Sequence, residues 1–462
     1  MKRRKAKNRV IAAALMFLAL VVLLPVAAQP PANEANLPRN GVWTLEQCIN
    51  HAVKSNISIQ QLKINSANAE IDLNSAKNSR LPDLNAGMGQ NFNFGRTQTQ
   101  TGLYENSTQS NSSLSVSSSV PIFTGFRIKN EIARSRFELM AAVESLEKAK
   151  ENLAINVASL YLQVLLNKEL LKVAEEQLKL TALMLEKTKI MLEADKIPAS
   201  QLAEMEARAA REEAQIVQAK NSVAIALLDL VQSLELETVE GFDVETPAAD
   251  AEVENRSMTP SPNEVYANAL TTKPAVREQE YRIESAIKSL EIARAGLMPS
   301  LSLSMGYGTN YFYMYRRNAN NISIGNQLRN NGGEYVGLSL NIPIFNRFAV
   351  RNRMKSARLN IDNQRLSLEA VKKTLYKEIQ TASLNVTASM EKYRASGKAV
   401  EAATLSLQFV SEKYDNGKAT VYEFNESKTA LTQASLEQIQ AKYDYIFRRK
   451  ILDFYNGELT FD

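Results

Sequence analysis

Cysteine and histidine are almost absent from this chain of 462 residues, with Cys48 and His51 as the only examples. A single cysteine cannot form an intramolecular disulfide, and it does not indicate a redox compartment. So few soft ligands argue against a zinc site or a Cys/His nucleophile. His51 lies near the start of a predicted helix, and the sequence shows no acid or nucleophile to partner it. We therefore expect a partly buried structural histidine, no enzyme activity, no metal and no cofactor.

Glycine and proline are also scarce, at 17 and 13 residues, which favours long uninterrupted elements. After residue 28, no segment approaches 18 consecutive apolar residues, so we expect no membrane helix in the mature chain. The alternatives for an exported chain of this kind are a soluble protein and a strand-built outer-membrane protein.

The N-terminus has the three-part pattern of a secretory signal peptide. The basic stretch "MKRRKAKNR" is followed by an apolar run and by small residues before Gln29, so we predict a signal peptide at 1–28. The segment holds six basic and no acidic residues, which leaves 49 basic and 50 acidic residues in the rest of the chain. The basic balance therefore belongs to the signal peptide, and no nucleic-acid partner is expected.

The chain repeats itself at an offset of about 220 residues. "VPIFTGF" (120–126) is matched by "IPIFNRF" (342–348), "AKNSRLPDL" (76–84) by "ARAGLMPSL" (293–301), and "ADKIPASQLAE" (194–204) more weakly by "NGKATVYEFNE" (416–426). We predict two structural repeats, at 29–237 and 263–462. The acidic segment between them, 238–262, is predicted to be a linker or a small insert.

Four segments alternate between apolar and small polar residues. The apolar positions of the first two are Leu84, Ala86, Met88, Phe92 and Phe94, then Leu114, Val116, Val120 and Ile122; those of the last two are Leu301, Leu303, Met305 and Tyr307, then Val336, Leu338, Leu340 and Ile342. Period-two patterning of this length predicts strands long enough to cross a membrane, with Ser, Gly and Asn lining water. Two surface hairpins of a soluble sheet are the alternative. Long polar loops join the paired strands, and Tyr311, Phe312, Tyr313 and Tyr315 are candidates for an interfacial aromatic girdle.

Prolines mark the changes from helix to strand and from strand to helix. Helices with capping signals at Thr44 and Ser261 are predicted to end before Pro82 and Pro299. In each septet, proline lacks a donor N–H and is predicted to end the strand ladder, and phenylalanine is predicted to anchor the interface. The predicted barrel–helix junctions are Pro82, Pro121, Phe123, Pro299, Pro343 and Phe345.

A helix of roughly 100 Å is predicted to follow each septet. Apolar residues recur every seven positions, first at Val157, Val164, Leu171, Leu178, Leu185 and Leu192, and then at Ile379, Val386, Tyr393, Val400, Leu407 and Tyr414. Six heptads in a row predict coiled-coil packing. Turns at 195–199 and 415–420 lead into shorter helices that run back to about Leu236 and Tyr455.

Four spanning strands cannot close into a barrel, because free sheet edges are not tolerated in lipid. The chain must therefore pool strands with copies of itself, and two copies would give eight strands while three would give twelve.

These features together resemble the TolC family of outer-membrane efflux proteins. The resemblance covers essentially the whole mature chain and includes "YDNGKATVYEFNESKTALTQASLEQIQAKYDYIFRRKIL" (414–452). It implies a mixed α and β homotrimer whose 12-stranded transmembrane barrel continues into a periplasmic helical barrel. The implied function is that of a passive exit duct in a tripartite efflux or type I secretion system, with a periplasmic adaptor and an inner-membrane pump as partners and outer-membrane lipid around the barrel. A secreted coiled-coil protein, such as the adaptor itself, is the alternative.

The resemblance also assigns roles to the two helix–helix turns. The adaptor-docking tips would be Asp195, Lys196, Ile197, Pro198, Asn416, Gly417, Lys418, Ala419 and Thr420. The alternative is that these are ordinary turns, with Gly417 as the left-handed residue in either case.

A periplasmic gate is implied at Glu423 and Glu426, together with Tyr414. Threefold symmetry would place six carboxylates in one constriction, which should attract cations and raise the pKa of some of these groups. The alternative for Glu423 is a capping box with Thr420, a role in which Glu426 has no part. The sequence departs from the best-known family pattern at Ala419 and Gln201, where the resemblance implies a basic residue and its acidic partner, so the tip is expected to close through other contacts or less tightly.

Overall fold

The structure is a computed structural model that describes residues 41–98, 102–106, 108–246, 260–315, 320–416 and 418–457. The predicted signal peptide, residues 247–259 of the predicted linker, and Gly417 lie outside the described residues. The strands are β1 (Val42–Trp43), β2 (Asn85–Asn93), β3 (Arg96–Gln98), β4 (Tyr104–Asn106), β5 (Gln109–Phe123), β6 (Asp243–Val244), β7 (Ser300–Met314) and β8 (Gly333–Asn341). The helices are α1 (Leu45–Ser55), α2 (Ile57–Asn78), α3 (Arg127–Glu193), α4 (Ala199–Ser233), α5 (Pro262–Thr272), α6 (Pro274–Ala295), α7 (Ile324–Asn330), α8 (Ala349–Asp415) and α9 (Val421–Asn456).

The two halves of the chain have the same helical plan. Helices α3 and α8 each contain 67 residues, and both their first and their last residues are separated by 222 positions. At about 1.5 Å per residue each helix is roughly 100 Å long, as predicted. The return helices α4 and α9 contain 35 and 36 residues. None of the twelve predicted heptad residues is exposed, which agrees with the predicted coiled-coil packing.

Four strands form one antiparallel sheet in the order β2-β5-β7-β8. One face carries large apolar residues that the described part of the chain leaves uncovered, including Met88, which is 81% exposed, and Val336, which is 76% exposed. The other face carries Ser, Gly and Asn, and here Gly306 faces Tyr335 across the ladder. A Cβ at Gly306 would lie 2.7 Å from the Tyr335 ring, so only glycine fits beneath this ring. The sheet is therefore two-faced, as the alternation predicts, with Phe312 and Tyr335 as large side chains on the otherwise small, polar face.

The two septets form matching junctions between a strand and a long helix. Gly125 and Phe126 both have positive φ angles of 61° and 66°, and Arg347 and Phe348 have 52° and 59°. A residue other than glycine in this conformation costs about 1–2 kcal/mol. Each phenylalanine packs edge to face on the phenylalanine three positions earlier, at 5.4 Å from Phe123 and 5.5 Å from Phe345. Glycine is needed at 125 because a Cβ there would lie 2.5 Å from the Cβ of Met298.

Each septet proline was predicted to end its strand ladder, and only one of the two does so. Strand β8 ends at Asn341, before Pro343. Strand β5 continues through Pro121, which faces Ser302, and ends at Phe123 after a shift in register. The long strand β7 provides a partner along this whole stretch, so the missing N–H of Pro121 is absorbed by a local irregularity.

The predicted helices before the sheet are each broken once. Asn56 separates α1 from α2 and accepts hydrogen bonds from the N–H groups of Ser58 and Ile59. Lys273 separates α5 from α6, because Pro274 begins a new helix. The capping box of Thr44 and Gln47 is present as predicted. The first polar loop contains the β3–β4 hairpin and the second contains α7, and Tyr311, Phe312 and Tyr313 lie within β7.

A two-stranded parallel sheet of β1 and β6 lies beside the long helices, and the sequence did not indicate it. The single hydroxyl proton of Tyr161 on α3 has two carbonyl acceptors within reach, Glu245 at 2.7 Å and Trp43 at 3.2 Å from the hydroxyl oxygen. His51 is half-buried, as predicted, and its ring packs edge to face on Trp43 at 5.2 Å. Burial lowers the pKa of His51 below its ordinary value, so the ring is neutral at pH 7. Because β6 pairs with β1 and packs in the same cluster as Trp43, residues 243–244 of the predicted linker are part of a packed core.

The helices lie side by side in a defined order. Near the sheet the order of contact is α2-α3-α6-α8, and near the far end it is α4-α3-α9-α8. Within the described residues, no helix has both the length and the apolar character needed to cross a membrane.

Candidate functional site: the tip of the two helical hairpins

The turns at the far end of the long helices share a backbone hydrogen bond. The N–H of Lys196 donates to the carbonyl of Met191 at 2.9 Å, and the N–H of Lys418 donates to that of Lys413 at 2.8 Å. Both pairs are related by 222 positions. Asp195 has a φ of 54°, the left-handed conformation that we predicted at the equivalent position, Gly417, which is outside the described residues.

The predicted docking residues fall into two groups. Asp195, Lys196, Pro198, Asn416, Lys418 and Thr420 are exposed at the end of the hairpins. Ile197 and Ala419 are half-buried, and Ala419 packs against the apolar cluster formed by Met205, Tyr414 and Val421. The tip therefore presents a polar surface over a small apolar core, and its role in docking stays a prediction.

Glu423 forms the capping box that was the alternative to a gate. Its carboxylate accepts a hydrogen bond from the N–H of Thr420 at 2.8 Å, and its own N–H donates to the Thr420 hydroxyl at 3.2 Å. These bonds hold the pKa of Glu423 below its ordinary value. The carboxylate is therefore ionised at neutral pH, and its contribution to the cap is lost as the pH falls through this lowered pKa. Within one chain, the pKa of Glu423 is therefore lowered, whereas a ring of carboxylates was expected to raise it.

Glu426 lies one helical turn beyond Glu423. Its side chain is exposed, and it forms no ion pair or hydrogen bond with the part of the chain that the structure describes. Positions three apart lie on the same face of a helix, so both carboxylates point to the same side of α9. Their position at a constriction stays a prediction.

Tyr414 is buried in the core of the tip, whereas the two glutamates are exposed. It is 6% exposed, and its ring lies 5.7 Å from that of Phe424. Its hydroxyl is 3.8 Å from the sulfur of Met191 on α3, so the residue joins the two hairpins. Next to it, Lys187 forms an ion pair with Asp415. A gate role of Tyr414 stays a prediction, and the geometry shows a packing contact between hairpins.

A buried charged network was missed by the sequence reasoning. Lys428 of α9 is 1% exposed, and its ammonium group donates to Glu212 of α4 at 3.0 Å, to the carbonyl of Gln177 on α3 at 2.9 Å, and to the hydroxyl of Thr181. Arg208 also pairs with Glu212, at 3.1 Å. Burial lowers the pKa of Lys428, and the carboxylate of Glu212 opposes this shift.

The network joins three helices that belong to both hairpins. A signal for it was present in the sequence, because Lys428 is seven residues after Val421, which is also buried. A lysine at a heptad position inside a coiled coil requires a buried partner. Two ion pairs, Lys428 with Glu212 and Lys187 with Asp415, connect the two hairpins.

Comparison with known proteins places the chain in a family. The sequence profile of the outer membrane efflux protein family matches residues 48–235 and 265–457. The chain is 23% identical over 393 residues to the outer membrane protein TolC of Escherichia coli, covering 82% of this chain and 74% of TolC. It is 20% identical over 344 residues to the outer membrane efflux protein BepC of Brucella suis, covering 74% and 71%.

Solved structures share the fold over nearly the whole chain. The structure of CusC covers 94% of this chain and 99% of CusC, with a TM-score of 0.77 and 17% identity. The outer-membrane channel OprN gives a TM-score of 0.74 at 18% identity, covering 94% and 98%. The open state of the MtrE outer membrane channel of Neisseria gonorrhoeae gives 0.71 at 19%, also covering 94% and 98%. The chain thus belongs to the outer membrane efflux protein family and is an outer-membrane channel protein of tripartite efflux systems, with a large periplasmic portion.

Proposed function

We propose that three copies of the chain close into one duct that passively conducts substrates from a periplasmic adaptor and an inner-membrane pump to the exterior. The observation that carries this proposal is that, among the described residues, the sheet and the helical layer each end on both sides in an element with no neighbour beyond it. In the sheet the edges are β2 and β8, and in the helical layer next to it they are α2 and α8. Each copy therefore has one edge strand and one edge helix on each of its two sides.

The sheet edges fit each other. The four strands alternate in direction, so β8 of one copy and β2 of the next would pair antiparallel and continue the pattern. Unpaired backbone groups at a lipid-exposed edge cost several kcal/mol each, which favours closure. Three copies give the twelve strands implied by the family resemblance. The exposed apolar face of the sheet would meet lipid, and the Ser, Gly and Asn face would line water.

The helical edges carry exposed apolar residues at heptad spacing. On α2 these are Ile57, Ile64 and Ile71, and on α8 they are Leu359 and Leu366, each between 59% and 70% exposed. A seven-residue apolar stripe on a free helix face is the pattern of a helix that packs on another. Contact between α8 of one copy and α2 of the next is head to tail, and such contacts form a ring when the rotation closes.

Conduction through the tip gives a test of the two carboxylates. We expect Glu426→Gln, and more strongly Glu423→Gln/Glu426→Gln, to weaken cation selectivity and block by multivalent cations in planar bilayers. Glu426→Gln is the cleaner variant, because Glu426 has no part in the capping box. If both variants conduct, select and block like wild type, these carboxylates do not form the constriction.

Docking at the tip gives a second test. Lys418 is exposed and forms no ion pair within the described residues, so Lys418→Glu should leave the fold and the assembly intact. We expect this variant to reduce export by several-fold in a dye or drug efflux assay, because it reverses a charge on the proposed adaptor surface. Lys373→Glu, in the middle of α8 and also exposed, is the matched control. Unchanged export by Lys418→Glu would contradict docking at this turn.

A further inference from the structure

The starts of the two long helices are rich in basic residues. The first ten residues of α8 include Arg351, Arg353, Lys355 and Arg358, and the first acidic residue of this helix is Asp362. Helix α3 begins with Arg127 and Lys129, followed by Arg134 and Arg136. Both helices start directly after the sheet, so this charge lies at the boundary between the sheet and the helical layer.

The basic residues of α8 are divided between two faces of the helical layer. A cavity of about 450 Å³ is lined by residues of all four helices of the layer, among them Asn65, Glu138, Asn360 and Gln364. Only the concave side of a curved layer can bring its first and fourth helices to one cavity. At about 100° per residue, Arg353 is on the side of Asn360, whereas Arg351, Lys355 and Arg358 are on the opposite, convex side.

Helix α3 has the same division. Arg127, Glu131, Arg134 and Glu138 share the concave side, where Arg127 pairs with Glu131 at 2.8 Å and Arg134 with Glu138 at 3.4 Å. Lys129 and Arg136 are about 180–200° away from Glu138 and therefore on the convex side. The charges on the concave side of α3 are thus neutralised in pairs.

The convex basic residues have no acidic partner among the described residues. Lys129, Arg136, Arg351, Lys355 and Arg358 are all exposed and form no ion pair there. Arg351 lies over the ring of Phe348, with its guanidinium carbon 5.4 Å from the ring centre. We call these five residues the basic collar.

An apolar belt lies between the basic collar and the sheet. Phe126, Ile344, Phe345 and Phe348 are exposed there, and Ile344 is 94% exposed. Helical side chains tilt toward the N-terminus of their helix, so those of the collar tilt back toward the belt and the sheet. An exposed apolar belt next to unpaired basic side chains matches the two layers of a lipid leaflet, the acyl chains and the phosphates.

We infer that the basic collar binds phosphate groups of anionic phospholipids in the membrane leaflet that faces the periplasm. This inference rests on the proposed function, because it requires the sheet to lie in a membrane. The collar then fixes the depth of the barrel from the periplasmic side. The concave side faces the duct, away from the lipid, so its charges, which are paired on α3, do not compete for these phosphates.

The test is native mass spectrometry of the delipidated, detergent-solubilised assembly after addition of phosphatidylglycerol or phosphatidylcholine. We expect wild type to retain phosphatidylglycerol in preference. Two basic residues near an anionic lipid surface are worth roughly a 30-fold change in affinity. Arg351→Gln/Lys355→Gln should therefore retain phosphatidylglycerol about 30-fold less well. Added inorganic phosphate should not displace the lipid, because the acyl chains contribute through the belt.

Two control variants test whether lipid binding depends on the face of the helical layer and on the distance from the sheet along α8. Arg353→Gln removes a neighbouring charge from the concave side, and Lys373→Gln/Lys377→Gln removes two exposed charges about 33 Å further down α8. Both should retain lipid like wild type. Three results would overturn the inference: retention of phosphatidylglycerol by Arg351→Gln/Lys355→Gln at the wild-type level, equal retention of phosphatidylcholine by wild type, or displacement of the lipid by inorganic phosphate. Channels in planar bilayers from the same preparation report on the proposed function separately.

Discussion

Replacing Lys428 with methionine is expected to loosen the contact between the two hairpins by about 3–5 kcal/mol, the usual cost of removing one partner from a buried ion pair. The variant leaves Glu212, which is 8% exposed, without its ammonium partner. The hydroxyl of Thr181 and the guanidinium of Arg208 remain near this carboxylate, so part of its hydrogen bonding is kept. Because Lys428 also donates to Gln177 on α3, the loss affects both helices of the first hairpin.

Hydrogen–deuterium exchange along α9 measures this effect. Since each 1.4 kcal/mol is a factor of ten, we expect exchange that proceeds by separation of the hairpins to be at least 100-fold faster. Lys418→Met, at an exposed position of the same hairpin, should exchange like wild type. Lys428→Met/Glu212→Leu should recover most of the protection, because an apolar pair can replace a buried ion pair at little cost. Wild-type exchange in Lys428→Met, or further loss in the double variant, would contradict a role as a clamp.

Leu359→Asp/Leu366→Asp is expected to abolish assembly. Both leucines are 70% exposed in the single chain, and burial of each would contribute about 1.5–3 kcal/mol to every contact between copies. Aspartate removes this contribution and places two charges in an apolar seam, and the penalty recurs at each of the three contacts of the ring.

Mass photometry in detergent measures the change directly. We expect wild type to be trimeric and the double aspartate variant to be monomeric. Asn360→Asp, which adds a charge on the concave side of the same helix, should remain trimeric. A trimeric double variant would show that the leucine stripe of α8 is not between copies.

The sequence was sufficient for the features that depend on period and repetition. The 222-residue offset, the heptads of α3 and α8, and the alternation in the four long strands each extend over many residues, so local exceptions do not obscure them. The two capping boxes, at Thr44 and Thr420, were also predicted, because two residues three positions apart define each of them.

The features that the sequence did not reveal depend on contacts between distant segments. Strands β1 and β6 contain two residues each and pair across about 200 positions, so neither has a period to detect. The continuation of β5 through Pro121 depends on the length of its neighbour β7. The partner of Lys428 lies 216 residues away, and only the packing of three helices brings it within 3.0 Å. The position of Tyr414 in the core, beside Met191, has the same origin.

Disulfide cross-linking between sheet edges tests the closure of the ring most directly. Cys48 is the only cysteine of the chain, and it is buried, which raises the pKa of its thiol to about 12. Its replacement by serine gives a background in which only the introduced cysteines can form disulfides. In this background, Gly87→Cys on β2 is combined with a cysteine at Tyr335, Gly337 or Ser339 on β8, all on the small polar face of the sheet. We predict that at least one pair gives covalent dimers and trimers, and no larger species, on denaturing gels after oxidation. Monomers alone for every pair would contradict a barrel built from strands of neighbouring copies.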